Sequence, residues 1–140
     1  MSVLYTTEAI SIGDGRNGHV RVLDGAFEQQ LSVPKELGGP GGELPNPEQL
    51  FASGYAACFH NGLRLTAADR KLRVGDSTVN ATVSLLALGD GRFSLEAALH
   101  AHLPGLTQAE ADELVQATHQ VCPYSNATRG NIQVTLEATV

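Results

Sequence analysis

The 140-residue sequence predicts one α+β domain, residues 1–140, with the element order β-β-β-α-β-β-α-β and largely antiparallel sheets. Three observations carry this prediction. Apolar residues recur at every second position in several short segments, as they do in strands that bury one face. Two longer segments begin with helix-capping residues. Glycine-rich turn sequences separate these segments, and neither an internal repeat nor a linker divides the chain.

The N-terminal third predicts strands over residues 5–12, 19–24 and 27–33, separated by the turn sequences "GDGRNG" and Asp24-Gly25. The next stretch, "PKELGGPGGELPNP", is too rich in glycine and proline for regular structure. It is not a phosphate-binding loop, because no Lys-Ser/Thr pair follows its glycines. We expect it to be either a flexible flap near the functional site or a plain connector.

The first helix has the sharpest start signal in the chain. Asn46 is suited to the N-cap, Pro47 to the first helical position, and Gln49 follows the cap by three residues. Glu48 adds a negative charge at the positive end of the helix. These signals predict a helix from Pro47 to about Lys71. Its first half, "QLFASGYAACF", is apolar on nearly every face, which predicts that it is enclosed on all sides.

The second half predicts a hairpin, a helix and a final strand. The helix begins with a capping box, Thr107 with Glu110, and ends at Pro123, which places Cys122 at its end. The expected inward residues of the hairpin lie on both sides of the "GDG" turn: Val79, Ala81, Val83, Leu85, Ala87, Phe93, Leu95, Ala97, Leu99, Ala101 and Leu103. Those of the helix are Leu114, Val115, Thr118, Val121 and Cys122, and those of the last strand are Ile132, Val134, Leu136 and Ala138.

Composition limits both the core and the partners. With 42% hydrophobic but only 5% aromatic residues and no tryptophan, the core is expected to consist of small and branched aliphatic side chains. A net charge of −6 without a Lys/Arg cluster argues against nucleic acid. No signal sequence and no apolar run of the ~20 residues that cross a bilayer is present, which predicts a cytoplasmic protein without membrane contact.

The two cysteines, Cys58 and Cys122, allow several interpretations. A buried structural thiol is the ordinary one. Metal binding ranks below redox chemistry, because Cys58 and His60 point about 200° apart on a helix, and His119 with Cys122 makes only half a site. We therefore expect neither a metal nor another cofactor. A nucleophilic cysteine needs a nearby cation, and periodicity does not choose among the candidates Arg16, Arg64, Arg129 and Lys35.

Long sequence strings narrow this choice. "NPEQLFASGYAACF", with "LGGPGG" before it, "CPYSNATRGNI" after it and "GDGR" near the N-terminus, closely resembles the organic hydroperoxide resistance proteins of the OsmC/Ohr superfamily. The likeness covers nearly the whole chain. It implies an OsmC-like fold in which antiparallel sheets wrap around long central helices in an intertwined homodimer. It also implies a thiol peroxidase that protects against organic peroxide stress and is recycled by a dihydrolipoyl-type dithiol.

The resemblance implies a role for each matched residue. Cys58 is the peroxidatic cysteine and Cys122 the resolving cysteine, and the two form an intrasubunit disulfide. Arg16 activates the thiolate and binds the peroxide, and Glu48 orients Arg16. From the aliphatic and aromatic side chains around Cys58 we expect an alkyl or fatty-acid hydroperoxide as substrate. The side chains expected to bind it, at least in part, are Leu50, Phe51, Tyr55 and Phe59.

Helix geometry constrains how these residues meet. Glu48 and Cys58 lie about 15 Å apart along one helix and roughly 80° apart around it. Either Arg16 spans much of that gap or the residues come from two subunits, and we favour two subunits, because an all-apolar helix is hard to enclose in so small a chain. Two other functions stay open at this point: a redox-sensing or ligand-binding module switched by the same disulfide, and a structural domain without chemistry.

Overall fold

The computed structural model describes residues 1–140, which form six strands and three α-helices. The chain divides into two compact units, Met1–Leu50 and Phe51–Val140. The predicted element order is confirmed, with one short helix added before the last strand. None of the helices combines the length and the apolar character that crossing a membrane requires.

The first unit is built on a three-stranded antiparallel sheet. Its strands are β1 (Ala9–Ile12), β2 (His19–Val22) and β3 (Glu28–Gln30), paired in that order. Each is shorter than predicted: β1 lacks residues 5–8, β2 lacks residues 23–24, and β3 lacks residue 27 and residues 31–33. A 3-10 helix, Gly15–Asn17, forms the turn between β1 and β2. A second one, Lys35–Leu37, lies in the glycine-rich segment, where no regular structure was expected.

Helix α1 (Pro47–Asp69) begins at the predicted residue. Its cap is reciprocal, because the Gln49 N–H donates to Asn46 Oδ1 at 2.9 Å and the Asn46 N–H donates to Gln49 Oε1 at 3.0 Å. The prediction that the apolar part of α1 is enclosed on all sides is not met within one chain. Ser53 and Ala57 of that stretch are exposed, and the row continues at the same spacing of four through Asn61 and Leu65.

The second unit carries a sheet of strands β4 (Thr78–Ala87), β5 (Phe93–His102) and β6 (Val134–Thr139), in that order. β4 and β5 form the predicted antiparallel hairpin, whereas β6 runs parallel to β5 and departs from the expected antiparallel arrangement. Alternation alone does not specify the partner of a strand. The hairpin faces the core at the end containing Leu99 and Leu103, but Phe93 and Ala87 near the turn are exposed.

Two helices connect β5 to β6. Helix α2 (Gln108–Val121) has the predicted capping box of Thr107 and Glu110. Helix α3 (Pro123–Thr128) was not predicted, because Pro123 was interpreted as a stop, although proline is also favoured in the first turn of a new helix. Cys122 is the single extended residue between α2 and α3, with φ −64° and ψ 124°.

The core of the second unit is formed by α1, β5 and α2. Its largest fully buried apolar side chains are Tyr55, Phe59, Leu63, Leu99, Leu103 and Leu114. Alanines fill much of the remainder, at positions 67, 97, 101, 111 and 138. The expected small and aliphatic side chains make up most of this core, but its two largest fully buried side chains, Tyr55 and Phe59, are aromatic, which departs from the prediction. Cys58 lies at the edge of the core, where its thiol is partly buried against the cluster.

Candidate active site

In the first unit, Arg16 and Glu48 form a two-point ion pair. Arg16 Nη1 donates to Glu48 Oε2 at 2.8 Å, and Arg16 Nη2 donates to Glu48 Oε1 at 2.7 Å. Arg16 sits in the 3-10 turn after β1, where Gly15 adopts a left-handed φ of +54°. Glu48 lies in the first turn of α1. The predicted partnership of these two residues is therefore present within one chain.

The ion pair keeps both groups charged. Its hydrogen bonds raise the pKa of Arg16 and lower the pKa of Glu48, against the opposing effect of partial burial. Glu48 is the better covered partner, with 16% of its side chain exposed against 41% for Arg16. Because Glu48 takes two of the five guanidinium donors, the fork is fixed while donors remain for another acceptor.

In the second unit, the sulfur atoms of Cys58 and Cys122 lie 3.8 Å apart. Both thiols are reduced; Cys58 is partly buried and Cys122 is fully buried. Since a disulfide bond measures about 2.05 Å, a movement of about 1.8 Å would join the two sulfurs. The predicted cysteine pair is thus brought together by α1 on one side and the joint between α2 and α3 on the other.

Two glycines allow this close approach. Gly54, Cys58 and Gly62 are spaced four residues apart and share one face of α1. A Cβ at Gly62 would lie 3.4 Å from Thr118 Cγ2, and one at Gly54 would lie 2.8 Å from the Tyr124 hydroxyl. Without side chains at these positions, the end of α2 and the start of α3 pack directly against the helix that carries Cys58.

The surroundings of Cys58 do not activate its thiol. Burial raises its pKa, the backbone N–H of Tyr124 opposes this by donating to the sulfur, and Cys122 adds to the increase. None of the groups that shift this pKa is a cation. A thiolate at neutral pH therefore requires a positive charge in addition to these groups.

The four expected substrate-binding residues are in different surroundings. Tyr55 and Phe59 are buried in the core of the second unit, whereas Leu50 and Phe51 are only partly buried. The Phe51 ring contacts Tyr55 edge-on at a centroid distance of 5.9 Å, and Tyr124 lies against both rings. Of these four residues, only Leu50 and Phe51 have side-chain surface that a ligand could contact.

A cavity of about 370 Å³ opens beside Cys58 in the second unit. Its apolar wall includes Leu65 and Val121, which are 62% and 58% exposed, and Asp69 adds a negative charge. This wall was not predicted from the sequence. Val121 was expected to point into the core. Leu65 lies in the second half of α1, beyond the apolar stretch "QLFASGYAACF", and its position two turns after Cys58 was the available signal.

Other candidate residues have structural partners. Arg64 donates to the Val74 carbonyl at 3.4 Å, and Arg129 donates to Asn126 Oδ1 at 2.8 Å and to the carbonyl of His119. His60 bonds to Ser77 at 2.9 Å. No group of three or more His, Cys, Asp or Glu side chains is arranged to hold a metal ion.

Similarity to known proteins covers almost the entire chain. The profile of the OsmC-like protein family matches residues 39–137. An organic hydroperoxide resistance protein of Xanthomonas axonopodis pv. citri is 48% identical over 135 residues, which cover 96% of this chain and 94% of that relative.

Solved structures agree with this likeness. The crystal structure of an organic hydroperoxide resistance protein from Legionella pneumophila superposes with a TM-score of 0.94 at 51% identity, covering 99% of this chain and 100% of that one. A Vibrio cholerae structure described as an organic hydroperoxide resistance protein, with captopril bound in one of its active sites, gives a TM-score of 0.92 at 48% identity, covering 99% and 94% of the two chains.

Proposed function

The chain belongs to the OsmC-like family and, within it, to the organic hydroperoxide resistance proteins, and from that premise we propose that it is a cysteine-based peroxidase for organic hydroperoxides. The observation that carries this proposal is the pair of reduced cysteines with sulfurs 3.8 Å apart. Such a pair can give two electrons to a substrate and become one disulfide. Through this reaction the protein protects against organic peroxide stress.

In the first step the Cys58 thiolate attacks one oxygen of the hydroperoxide. The O–O bond breaks and its electron pair leaves with the alkoxide, which takes a proton and becomes the alcohol. Cys58 is oxidised to a sulfenic acid. Cys122 then attacks this sulfur, an S–S bond replaces the S–O bond, and water leaves. A dihydrolipoyl-type dithiol reduces the resulting intrasubunit disulfide.

Arg16 supplies the positive charge that Cys58 lacks. Burial raises the pKa of the Cys58 thiol and no cation opposes it, so an added guanidinium favours the thiolate. The same group stabilises the negative charge that develops on the leaving oxygen, using donors that Glu48 does not occupy. Glu48 holds the fork in one orientation.

An organic substrate fits the apolar surroundings of Cys58. The cavity beside the thiol has an apolar wall at Leu65 and Val121, and Phe51 offers further apolar surface. An alkyl or fatty-acid hydroperoxide would bury its chain against such surfaces, whereas hydrogen peroxide has no chain to bury.

The working unit is a homodimer in which each active site combines Cys58 of one subunit with Arg16 of the other. The exposed row on α1, which ends at Leu65, is apolar or small at three of four positions and remains uncovered in one chain. Light scattering is expected to give the mass of two chains. A monomer at micromolar concentration would contradict this assembly.

Mixed dimers test the sharing of sites. When Arg16→Ala and Cys58→Ser chains are combined, a shared arrangement leaves one complete site in each mixed dimer, and about half the wild-type activity per mixed dimer returns. Sites built within one subunit would leave both sites defective and restore nothing. Dimers purified with two different affinity tags give the direct comparison.

The activity itself is tested by following consumption of cumene hydroperoxide with dihydrolipoamide as reductant. We expect turnover by the wild type, slower turnover with hydrogen peroxide, and none with Cys58→Ser. A wild type that forms the disulfide but does not turn over would favour the redox-sensing alternative. Full activity of Cys58→Ser would remove the proposal.

A further inference from the structure

A buried hydrogen-bond network lies next to the cysteine pair and has no role in the steps above. The Tyr55 hydroxyl bonds to Ser125 Oγ at 3.0 Å and to Thr128 Oγ1 at 3.1 Å. Ser125 Oγ also bonds to His119 Nδ1 at 2.8 Å. Tyr55 and Ser125 are 0% exposed and Thr128 is 6% exposed, so water does not compete for these bonds.

The members of the network lie at matched positions around the cysteines. Tyr55 precedes Cys58 by three residues on α1, His119 precedes Cys122 by three residues on α2, and Ser125 follows Cys122 by three residues on α3. Each of these three residues therefore lies about one helical turn from a thiol. The Tyr55–Ser125 bond ties the helix of Cys58 to α3, and the His119–Ser125 bond ties α2 to α3.

The joint between α2 and α3 is where such ties matter most. Cys122 is the only extended residue between the two helices, so its φ and ψ angles set the direction of α3 relative to α2 and the place of its own sulfur. The His119–Ser125 bond spans this joint. Gly62 allows the joint to approach α1, but a glycine supplies space and no attachment.

The donors and acceptors in this network can all be matched. The Thr128 hydroxyl donates to the Ser125 carbonyl at 3.2 Å, which leaves its oxygen free to accept from Tyr55. Ser125 therefore donates to the Tyr55 oxygen, and its own oxygen accepts from Nδ1–H of His119. Burial, and then the charge of Arg129, lower the pKa of His119, which favours the neutral ring with its hydrogen on Nδ1. No buried side-chain nitrogen or oxygen lacks a hydrogen-bond partner. A fully matched network of this kind favours one arrangement of the three helices.

We propose that Tyr55, Ser125 and His119 are positioning residues that hold Cys122 beside Cys58 and so determine the fate of the Cys58 sulfenic acid. This inference rests on the proposed peroxidase function. The sulfenic acid can react with the Cys122 thiol, giving the disulfide and water. It can instead react with a second hydroperoxide, which gives a sulfinic acid and an alcohol and is irreversible. A fixed Cys122 favours the first reaction, because the second one requires a collision from solution.

The test is the ratio of sulfinic acid to disulfide on Cys58, measured by intact mass after one exposure to increasing cumene hydroperoxide. Tyr55→Phe keeps the ring and removes the hydroxyl, and Ser125→Ala removes the centre of the network. For each we expect the ratio at a given peroxide concentration to rise by about tenfold, the scale of one lost buried hydrogen bond. His119→Leu is expected to raise the ratio in the same way, while His119→Asn, which keeps an N–H donor near the position of Nδ1, should restore most of the protection.

Thr118→Val is the matched control. Thr118 is buried on the same helix, but its hydroxyl donates only to the Leu114 carbonyl at 2.8 Å and takes no part in the network. The ratio of sulfinic acid to disulfide in Thr118→Val should equal that of the wild type. Thermal melting of each variant identifies any that does not fold. If either Tyr55→Phe or Ser125→Ala does not fold, the other variant still tests the proposal.

A wild-type ratio in both Tyr55→Phe and Ser125→Ala would overturn the positioning role. An equal rise of the ratio in Thr118→Val would also overturn it, because general loosening of the fold would then explain the effect. Failure of the wild type to react with any hydroperoxide would instead refute the proposed function. The network is then still tested by the rate at which diamide, a thiol oxidant, closes the Cys58–Cys122 disulfide, which should fall in the same variants.

Discussion

The Arg16–Glu48 pair and the Cys58–Cys122 pair differ in how their surroundings affect charge. Two hydrogen bonds raise the pKa of Arg16 and lower that of Glu48, so that region favours ionised groups. Around Cys58, burial raises the thiol pKa and keeps the group neutral. One region therefore holds a ready charge without a nucleophile, and the other holds a nucleophile without a charge. Neither is expected to reduce a peroxide by itself.

The two pairs also differ in what holds them. The ion pair depends on one turn and one helix start, both of which are local features of the chain. The cysteines depend on the joint of two helices, on glycine spacing and on a buried polar network whose bonds connect residues up to 73 positions apart. The reactive separation of the thiols is thus a property of the packed unit rather than of a short segment.

Removing the positive charge of the Arg16–Glu48 pair should lower the activity of the cysteine pair most severely. Arg16→Ala is expected to lower kcat/KM for cumene hydroperoxide by about a hundredfold or more, because both the thiolate and the leaving oxygen lose their counter-charge. Arg92→Ala is the matched control, since Arg92 also forms an ion pair, with Asp90 at 2.7 Å, in the exposed β4–β5 turn. Near-normal activity in Arg16→Ala would show that another cation activates Cys58.

Removing the carboxylate that orients Arg16 should lower the activity less than removing Arg16 itself. Glu48→Gln preserves size but removes the carboxylate that fixes the Arg16 fork, and we expect kcat/KM to fall by about tenfold. Arg16 itself stays charged in this variant. A decrease as large as that of Arg16→Ala would mean that Glu48 does more than orient the guanidinium.

At acid pH the free energies of unfolding of the wild type and Glu48→Gln should become equal. The ion pair lowers the folded-state pKa of Glu48 below the unfolded value of about 4.3. Its contribution to stability is therefore fully present above about pH 4.3 and is lost as the pH falls through the lower folded-state value. Urea unfolding of both proteins across this range is expected to converge at the acid end. A constant difference would show that the pair does not contribute in this way.

The smallest effect is expected from a change at the start of α2, the helix that ends at Cys122. Thr107→Ala removes one half of the α2 capping box, far along the helix from Cys122, and should lower the free energy of unfolding by about 1 kcal/mol. The activity at about 25 °C should stay unchanged. Loss of activity without loss of stability would mean that the position of Cys122 depends on the start of α2 as well as on its end.

Local features were the predictable part of this fold. The starts of α1 and α2 follow from side chains within three residues of each cap, Asn46 with Gln49 and Thr107 with Glu110, and both were located to the residue. The parallel pairing of β6 was not predictable from alternation, because that pattern gives the buried face of a strand but not its neighbour. Pro123 is compatible both with the end of one helix and with the first turn of another, and the sequence alone does not decide between them.

The candidate site divides in the same way. Glu48 and the two cysteines were identified through long motifs that resemble a family, and Arg16 through the short motif "GDGR". The structure brings each pair together. The Tyr55–Ser125–His119 network carries no local signal, since its members are common core and helix residues whose hydroxyl and imidazole groups meet only after the helices pack.

The most decisive measurement is the pKa of the Cys58 thiol, because the complementarity of the two regions depends on it. In a Cys122→Ser background, the pH dependence of alkylation by iodoacetamide reports the thiolate of Cys58 alone. We predict a pKa below the ordinary value of about 8.5 with Arg16 present and above it in Arg16→Ala, where burial outweighs the hydrogen bond from the Tyr124 N–H. Equal pKa values in the two proteins would contradict the activation of Cys58 by Arg16.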